Sequence, residues 1–563
     1  MGKKGSNNAK TAGAESEKAM GRRSFLKGVG VTTGALVGGG IFTVSAAGIQ
    51  AAPEPVDWDC DVDVVVAGSG NGGMSAALAA TNGGASTLLI EISTVIGGNT
   101  LMSGGIMHTA GQRTWEDYNR YTQGHHDQVL GRAYVETFWN EYIPWLQEQG
   151  AYMSRPNPEA EGWPGDWYLG NGEPGQLRHK LYFDSLVDAF EAKGGQRLMK
   201  TRVTRLFTDA DGRVIGVQAR TWNGSPREDN QTIVNVRAKK TILATGGWIM
   251  DGEREQRYYG QDGHMAQHLC GPFSAGEGLD MALGAGAALS HSGWPTFSGV
   301  YCAVTAEPQL SADPDQMVRL WEEVPPEDWA APYGRGRLSP PLWVAPTVTT
   351  WGGFSPGIFV NNHGKRFVDE SSTVHSRYAR AEVAAIRQPG GYVWMIGDQE
   401  IHDAVPGSEA MIQQIIDEGG VLGTHGNVII ADSLEEFAEA LSAAGVYKGA
   451  FLQTIEEYNR AVDEGRQEEL AVPHSSEHNS GGYAIRTPPF YAVPVTVTPY
   501  MTYGGLRINQ HGQALDAQGV PVPNLYAAPP LAGGIQNEVY TGAIACAGTF
   551  GYLAGKHASE TLT

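Results

Sequence analysis

Cysteine is scarce in this chain. Four occur among 563 residues, at Cys60, Cys270, Cys302 and Cys546. None belongs to a Cys-x-x-Cys pair, and no Cys-x-x-Cys-His run occurs. These absences argue against a four-cysteine zinc site and against a covalently attached c-type haem. The four residues can form disulfides in an oxidising compartment, but their spacing does not select a pairing.

Positive charge is also in deficit. The chain has 40 lysine and arginine residues against 61 aspartate and glutamate residues, a formal net charge of −21. Residues 1–52 carry seven basic and two acidic residues, or +5, so the remainder carries −26. Such an acidic body repels phosphate backbones and anionic lipid, which argues against nucleic-acid and membrane-surface partners.

Internal repeats and metal-ligand motifs are not apparent either. The 76 glycines follow no fixed period, so they are interpreted as turns and close backbone approaches. The adjacent His125 and His126 are more typical of a solvated loop than of a metal site, and we predict no metal. A chain of this length exceeds one simple core, so two domains are expected.

The basic N-terminus has the features of an export signal. The run GRRSFLK, residues 21–27, precedes a weakly apolar, glycine-rich stretch and then small residues before AAPEP. The pair Arg22-Arg23 resembles the twin-arginine signal, which implies export of a folded protein to the periplasm or beyond. We expect cleavage between Ala46 and Ala52 and no stable membrane insertion afterwards. A basic helix that anchors the chain or frays is the alternative.

A dinucleotide site is predicted by CDVDVVVAGSGNGGMSAALAATNGGASTLLIEI, residues 60–92. The pattern is a strand, a glycine turn, a helix of small residues and a second strand. Of the G-x-G-x-x-G glycines, Gly68 makes the tight turn, Gly70 lets a pyrophosphate approach the backbone, and Gly73 lets helix and strand pack closely. The helix N-terminus offers N–H groups to the phosphates. Glu91 ends the second strand, 23 residues after Gly68, where an acid accepts hydrogen bonds from ribose hydroxyls.

Further motifs distinguish FAD from NAD. They are IGGNTLMSGGI (96–106), ILATGG (242–247), FVNNHGKRFVDE (359–370) and LYAAPPLAGG (525–534). In this order they resemble the flavoprotein family of fumarate reductases, succinate dehydrogenase flavoprotein subunits and 3-ketosteroid Δ1-dehydrogenases. The resemblance spans nearly everything after residue 57. It implies an α/β fold with a noncontiguous, Rossmann-like FAD-binding domain and an inserted α+β capping domain that holds much of the substrate site.

The expected domain bounds follow from these motifs. Residues 1–52 are the signal peptide and linker, 57–292 the first part of the FAD-binding domain, 293–489 the capping domain and 490–563 the second part. The stretch 108–172, rich in tryptophan, tyrosine and histidine, is interpreted as an insertion in the first part.

The resemblance also assigns cofactor contacts to positions of this sequence. They are Asn99, Thr100, Ser103, Gly104, Gly105, Val203, Thr245, Gly246, Thr541, Gly542, Ala543 and Ile544. The last four begin a helix whose N-terminus faces the flavin and favours negative charge on the reduced ring. Members with covalent flavin have a histidine near the position of Asn99. This chain has none there, so noncovalent FAD is expected. Pro529 and Pro530 replace a usual Gly-Glu pair, a departure that affects one expected contact.

The dicarboxylate clamp of the fumarate reductases is missing from this sequence. That family uses a histidine in an H-P-T run, a proton-donating arginine after GKRFVNE, a histidine before a late Gly-Gly, and an arginine near the last helix. The corresponding positions hold Trp294, Val374, a YMTYGG run without histidine, and Glu538. Bound carboxylates need charge-assisted donors, so fumarate and succinate are not expected as substrates. In the alternative, the alignment shifts and Arg377, one turn from Val374, is the catalytic arginine.

Aromatic side chains fill the vacated positions: Trp294, Tyr500, Tyr503 and Tyr540. They suit a larger, flatter and less charged substrate. In the ketosteroid dehydrogenases a tyrosine hydroxyl and a glycine N–H polarise a substrate carbonyl beside the flavin. The resemblance implies this role for Tyr500 or Tyr503 with Gly504 or Gly505. Tyrosines that only pack in a domain seam are the alternative.

We therefore expect an exported FAD-dependent oxidoreductase that acts on a carbon–carbon bond next to a carbonyl, in either direction. Its expected catalytic residues are Tyr500, Tyr503, Tyr540 and Arg377, and its expected substrate-binding residues are Trp294, Gly504, Gly505 and Glu538. Because no haem or cluster motif is present, electrons would be exchanged with a quinone or a separate cytochrome. A flavin electron-transfer or sensor protein without a small-molecule substrate, and an oxidase that uses O₂, remain as alternatives.

Overall fold

The structure is a computed structural model. It describes residues 56–103, 105–155, 167–170, 178–222, 232–260, 273–290, 297–303, 357–370, 384–404, 412–413, 416, 428–475, 482–537 and 539–562. All of these belong to the second of two units of the chain, Pro53–Thr563. The predicted signal peptide and four predicted site residues (Gly104, Trp294, Arg377 and Glu538) lie outside the described residues, and for Tyr500 only the backbone is described.

Sixteen strands are described. They are β1 Cys60–Ala67, β2 Thr87–Ile90, β3 Ile106–Met107, β4 Met153–Ser154, β5 Trp167–Leu169, β6 Gln196–Leu198, β7 Thr201–Thr208, β8 Val214–Thr221, β9 Thr232–Leu243, β10 Phe297–Ala303, β11 Ile358–Val360, β12 Val393–Asp398, β13 Ile429–Ala431, β14 Phe490–Thr502, β15 Gln513–Leu515 and β16 Pro521–Ala527.

The described α-helices are α1 Asn71–Asn82, α2 Trp115–Tyr121, α3 Gln128–Thr137, α4 Ile143–Glu148, α5 Arg178–Ala192, α6 Gly252–Tyr259, α7 Glu277–Gly284, α8 Gln399–Ala404, α9 Leu434–Ala443, α10 Lys448–Asp463 and α11 Ala543–Glu560. A π-helix spans Phe138–Tyr142, and 3₁₀-helices span Gly98–Met102 and Gln467–Glu469. No helix within the described ranges is long and apolar enough to cross a membrane.

The first sheet is built from both ends of the sequence. Its strand order is β15-β16-β9-β1-β2-β6, and β7 and β8 attach through β9. The central strands β16, β9, β1, β2 and β6 run parallel. The end of β1 is fully buried, as expected for a parallel strand covered on both faces. The predicted α/β class with a Rossmann-like FAD domain is confirmed.

Helices α1 and α11 pack against each other unusually closely because both consist largely of small residues. A Cβ added at Gly551 would overlap the carbonyl oxygen of Gly72, and one at Gly555 would overlap that of Ala76. Only glycine permits this approach of two backbones. The contact places the start of α11 beside the start of α1.

The second sheet has the order β10-β14-β12-β11, with β13 also paired to β14. Phe437 of α9 stacks on Phe490 of β14 at 5.6 Å and meets Phe451 of α10 edge-to-face at 5.8 Å, which covers the sheet with two helices. We predicted that the FAD-binding part resumes at 490. Strand β14 pairs instead with β10, β12 and β13, so the chain returns to the first sheet only after Thr502.

The stretch predicted as an insertion forms a helical layer and a small sheet, β3-β5-β4. Its rings follow one another from α3 through the π-helix to α4: Tyr134, Phe138, Tyr142 and Trp145. Adjacent rings are 6.0–6.4 Å apart between centroids. His126 of the predicted solvated pair is instead buried, with Nδ1 2.9 Å from the Thr122 hydroxyl.

Candidate functional site

A cleft opens at the carboxyl ends of β1, β2 and β9, the position at which parallel sheets bind dinucleotides. Eight of the predicted cofactor residues line it: Gly68, Gly70, Glu91, Asn99, Thr100, Val203, Thr245 and Gly246. They come from four separate stretches of sequence that meet at one edge of the sheet. The cleft is therefore where the sequence places the dinucleotide.

The three motif glycines are required for different physical reasons. Gly68 has φ +94°, and a Cβ there would overlap the carbonyl oxygen of Ala244. A Cβ on Gly73 would overlap the carbonyl oxygen of Gly68, so α1 could not pack against the turn. A Cβ on Gly70, in contrast, would meet no atom of the described residues closer than the Gly97 carbonyl oxygen, at 3.9 Å. Space at Gly70 is left for a molecule that enters the cleft.

Polar groups at the cleft fit a dinucleotide. The Thr245 hydroxyl is buried and, within the described part of the chain, makes no hydrogen bond. A buried hydroxyl without a partner is costly, so a ligand with acceptors or donors would stabilise it. Next to it Gly246 has φ +81°, and a Cβ there would lie 2.9 Å from Ser274 Oγ. The residues present therefore fit the cofactor that the sequence predicts.

Glu91 fastens the glycine turn to the end of β2. The backbone N–H and hydroxyl of Ser69 donate to Glu91 Oε2 at 2.8 and 2.6 Å, and the Ser93 N–H donates to Oε1 at 2.8 Å. The side chain is 4% exposed, and burial raises the pKa of its carboxyl. It borders the cleft as predicted, and its contact with a ribose stays a prediction. Its two hydrogen-bond donors, Ser69 and Ser93, were not identified from the sequence.

The loop after β2 brings the next predicted residues to the cleft. Asn99 Nδ2 donates to Ser274 Oγ at 2.9 Å, and the Thr100 hydroxyl accepts from the Asn71 N–H at 3.2 Å. Ser103 and Gly105 are not among the residues that line the cleft. The Ser103 hydroxyl accepts from the Gly105 N–H at 3.1 Å and so stabilises the loop. Their direct contact with FAD stays a prediction.

The turn before α11 is held by side chains from the inserted layer. The Tyr134 hydroxyl donates to the Thr541 carbonyl at 2.7 Å, and the Tyr118 hydroxyl lies 3.1 Å from Thr541 Oγ1. Gly542 has φ +98°, and a Cβ there would overlap the carbonyl oxygen of His108. The residues from Thr541 to Ile544 do not themselves line the cleft, but Ala547, one turn further along α11, does.

Two of the predicted catalytic tyrosines meet at this turn. Tyr503 and Met501 are buried, and the partly buried Tyr540 and Ala543 pack against them in a small cluster, which we call the tyrosine cluster. The Tyr540 hydroxyl accepts from the Ala543 N–H at 3.3 Å. The structure thus brings Tyr503 and Tyr540 together at the N-terminus of α11.

His108 borders the tyrosine cluster and was not identified from the sequence. Its ring meets that of Tyr540 edge-to-face, 5.5 Å between centroids. Its Nδ1 accepts from the Ala110 N–H at 3.0 Å, so Nε2 carries the proton of the neutral ring. The residue is 1% exposed, and burial lowers its pKa to about 3. His108 is therefore uncharged at neutral pH.

Gly505 has a structural role that the sequence did not reveal. A Cβ there would overlap the Leu531 carbonyl oxygen, and the Leu506 N–H donates to the same oxygen at 2.8 Å. This contact joins the end of β14 to the segment after β16. Gly505 thus lets two chain segments run side by side, whereas the predicted contacts of Gly504 and Gly505 with a substrate stay predictions.

Several residues at the cleft were not predicted. They include Arg202, Ser274, Glu277, Phe273 and Met281. Arg202 Nε donates to Glu277 Oε2 at 2.9 Å across the cleft, beside Val203. No motif marks this pair, since its two members are 75 residues apart.

The motif GKRFVDE forms a buried ion pair in the second sheet's domain. Arg366 Nε donates to Glu370 Oε1 at 2.9 Å, and the Phe359 N–H donates to the same oxygen at 3.0 Å. The neighbouring carboxylate of Glu370 raises the pKa of Arg366 although burial opposes it. The motif thus fixes the end of the segment that precedes Arg377.

A glycine turn, a helix N-terminus and a buried acid at the carboxyl edge of a parallel sheet define an α/β dinucleotide-binding protein. Comparison with known families then specifies the dinucleotide. Residues 63–308 and 337–545 match the family described as FAD binding domain, and this chain belongs to that family. The predicted cofactor, FAD, is confirmed.

The chain is similar over most of its length to characterised reductases. The fumarate reductase (cytochrome) of Shewanella frigidimarina is 26% identical over 517 residues, which cover 89% of this chain and 77% of that protein. The NADH:acrylate oxidoreductase of Vibrio harveyi is 26% identical over 588 residues, which cover 90% of this chain but 52% of that protein, so this chain spans about half of its length.

A solved structure shows the same fold. The 3-ketosteroid Δ1-dehydrogenase from Sterolibacterium denitrificans has a TM-score of 0.61 at 17% identity, over 89% of this chain and 100% of that one. The family resemblance stated from the sequence is confirmed. The protein is an FAD-dependent oxidoreductase of the class that acts on CH–CH and C=C bonds.

Proposed function

We propose that this oxidoreductase acts on a carbon–carbon bond next to the carbonyl of a bulky, weakly charged substrate, and that it works as a reductase. The observation that carries the proposal is the tyrosine cluster at the N-terminus of α11, the helix that lines the FAD cleft with Ala547. Its described side chains, from Met501, Tyr503, Tyr540 and Ala543, carry no formal charge, and the adjacent His108 ring is neutral. An uncharged aromatic surface favours an enone of steroid-like size over a dicarboxylate.

Within this site the tyrosines are the candidate proton-handling groups. FAD, when bound, supplies hydride transfer at N5. A phenol of Tyr503 or Tyr540 would donate to the substrate oxygen as enolate charge develops, because a preorganised donor stabilises that charge most in a buried site. Burial of Tyr503, 2% exposed, excludes water that would compete for the bond.

The first experiment is a substrate panel in both directions. Enones are offered with a reduced viologen dye, and saturated ketones with an oxidised dye, both under anaerobic conditions. We expect turnover of a bulky enone and no useful turnover of fumarate or succinate. Turnover confined to fumarate or acrylate would contradict the proposal. In that case Arg377→Ala should abolish the turnover. Reduction of a small unsaturated carboxylate, the hypothesis that the two reductase relatives support, would then replace our proposal.

The second experiment separates chemistry from packing. Tyr503→Phe should lower the rate by about 10²–10⁴ if its phenol polarises or protonates the substrate, and by little if it only packs. Tyr540→Phe and Tyr500→Phe are measured in parallel. Tyr447→Phe is the matched control, since that side chain is 70% exposed and outside the cluster. Full activity in all three of Tyr500→Phe, Tyr503→Phe and Tyr540→Phe would remove these phenols from the mechanism.

The source of electrons belongs to the same proposal. Export by the twin-arginine route would place the enzyme outside the cytoplasmic membrane, where a quinone or a separate cytochrome could supply electrons. Reduction of the purified enzyme by a water-soluble quinol, or by a reduced cytochrome, distinguishes the two donors.

A further inference from the structure

A buried polar network lies beneath the first turn of α1, with the Asn71 side chain at its centre. Asn71 Nδ2 donates to the Tyr142 hydroxyl at 3.1 Å and to the Ile544 carbonyl at 2.9 Å. Asn71 Oδ1 accepts from the Tyr182 hydroxyl at 2.8 Å. Asn71 is 1% exposed and both tyrosines are 0% exposed. Both amide hydrogens and the amide oxygen therefore have buried partners.

The network joins four separate elements: α1, the π-helix, α5 and α11. The Tyr142 hydroxyl also lies 2.9 Å from Ser75 Oγ, one turn further along α1. In α11 the position facing the network is Gly548, where a Cβ would overlap both the Tyr142 hydroxyl and the Asn71 amide. The absence of a side chain at Gly548 thus makes room for the network between the two helices.

Asn71 also contacts the FAD site from two directions. Its backbone borders the cleft, and its N–H donates to the Thr100 hydroxyl at 3.2 Å. Its side chain holds the carbonyl of Ile544, in the first turn of the helix expected to face the flavin. One residue therefore connects the glycine turn, where the pyrophosphate is expected, with the helix that is expected to face the flavin.

We propose that Asn71 is a positioning residue that fixes the N-terminus of α11 relative to α1, and thereby sets the reduction potential of the bound flavin. A helix N-terminus stabilises negative charge only over about one turn. Groups that act on a cofactor must be held within about 0.5 Å of their working geometry. Loosening the network should therefore lower the affinity for reduced FAD more than the affinity for oxidised FAD.

The test uses the full-length holoprotein and two variants. Tyr182→Phe removes one hydroxyl and keeps the ring, whereas Asn71→Leu removes all three side-chain hydrogen bonds at similar size. We measure FAD release by dilution and the flavin midpoint potential by equilibration with redox dyes. Release should be roughly fivefold to tenfold faster in Tyr182→Phe, the effect of one buried hydrogen bond. For each tenfold change in relative affinity, the potential should fall by about 30 mV.

Tyr526→Phe is the matched control. Its buried hydroxyl lies 2.9 Å from His557 Nδ1 and 3.3 Å from Thr561 Oγ1, at the opposite end of α11. This variant loses a comparable hydrogen bond, so its thermal stability should fall to a similar degree. Its potential and its FAD release should equal those of the wild type.

Two results would overturn the proposal. One is a wild-type potential and release rate in Tyr182→Phe. The other is an equal change in Tyr526→Phe, which would show that loss of stability alone moves both readouts. If Asn71→Leu does not fold, Tyr182→Phe decides the question. Neither readout involves a substrate, so the result is independent of the function proposed above.

Discussion

Replacing Gly70 with valine should abolish FAD binding and leave the apoprotein folded. Gly70 has φ −55° and ψ 175°, an extended conformation that valine adopts readily. Among the residues that the structure describes, the nearest atom to an added Cβ is 3.9 Å away. The new side chain therefore occupies the cleft, at the point where a pyrophosphate approaches the backbone.

The size of the effect follows from the contacts that valine displaces. Moving a diphosphate away from the first turn of α1 removes charge-assisted hydrogen bonds, worth about 1.5–3 kcal/mol each. It also removes a helix-dipole interaction of about 0.3–1 kcal/mol. With two such bonds lost, the total is about 3–7 kcal/mol. Binding should then weaken by about 10²–10⁵-fold, since each 1.4 kcal/mol is about a factor of ten.

The assay compares flavin content with the stability of the apoprotein. Absorbance of the purified variant gives the ratio of flavin to protein, titration of the apoprotein with FAD gives the affinity, and urea unfolding without FAD gives the free energy of unfolding. Gly252→Val is the matched control, because a Cβ at Gly252, the first residue of α6, would meet no atom of the described part of the chain within 4 Å. It should retain FAD.

One result would refute the reasoning: a Gly70→Val protein that keeps wild-type affinity for FAD. The pyrophosphate would then not pass Gly70. If the variant does not fold, Gly70→Ala gives the same comparison with a single methyl group and should show a smaller loss in the same direction.

Three further predictions concern the cofactor, the N-terminus and pH. Acid precipitation should release all flavin into the supernatant, whereas colour that stays with the pellet would contradict noncovalent FAD. Replacing Arg22-Arg23 with Lys-Lys should leave the FAD-loaded protein in the cytoplasm on fractionation, and unchanged export would exclude the twin-arginine route. Burial holds the pKa of His108 at about 3 against an ordinary 6.5, so its contribution to stability is complete above pH 6.5 and is lost as pH falls towards 3. Between pH 6 and pH 5 the wild-type apoprotein should lose about 1.2 kcal/mol more than His108→Gln in urea unfolding, and parallel curves would show that His108 is not buried as described.

The glycine turn and its acid could be predicted because all their determinants lie in one stretch, residues 60–92. Gly68, Gly70 and Glu91 follow from the geometry of a strand, a turn and a helix that are consecutive in sequence. The partners of Asn71 could not be predicted in this way. They are 71, 111 and 473 positions away, and no local pattern specifies contacts over such separations.

The course of the chain after residue 489 shows a second limit of prediction from the sequence. The run FYAVPVTVTPY is rich in β-branched and aromatic residues, which are common in strands, but such residues do not specify which sheet a strand joins. Pairing with β12 and β13 assigns β14 to the second sheet. Gly505 is a further example. The resemblance assigns it to the substrate site, whereas the structure shows that it packs against Leu531, a contact between two segments that the local sequence does not specify.

The assembly of the first sheet from distant segments has a consequence for biosynthesis. Strand β1 leaves the ribosome long before β16 and α11. A nascent chain that lacks α11 has the glycine turn but not the helix on which α1 packs, nor Ala547 at the cleft. We therefore expect that the chain holds flavin only after α11 has been synthesised.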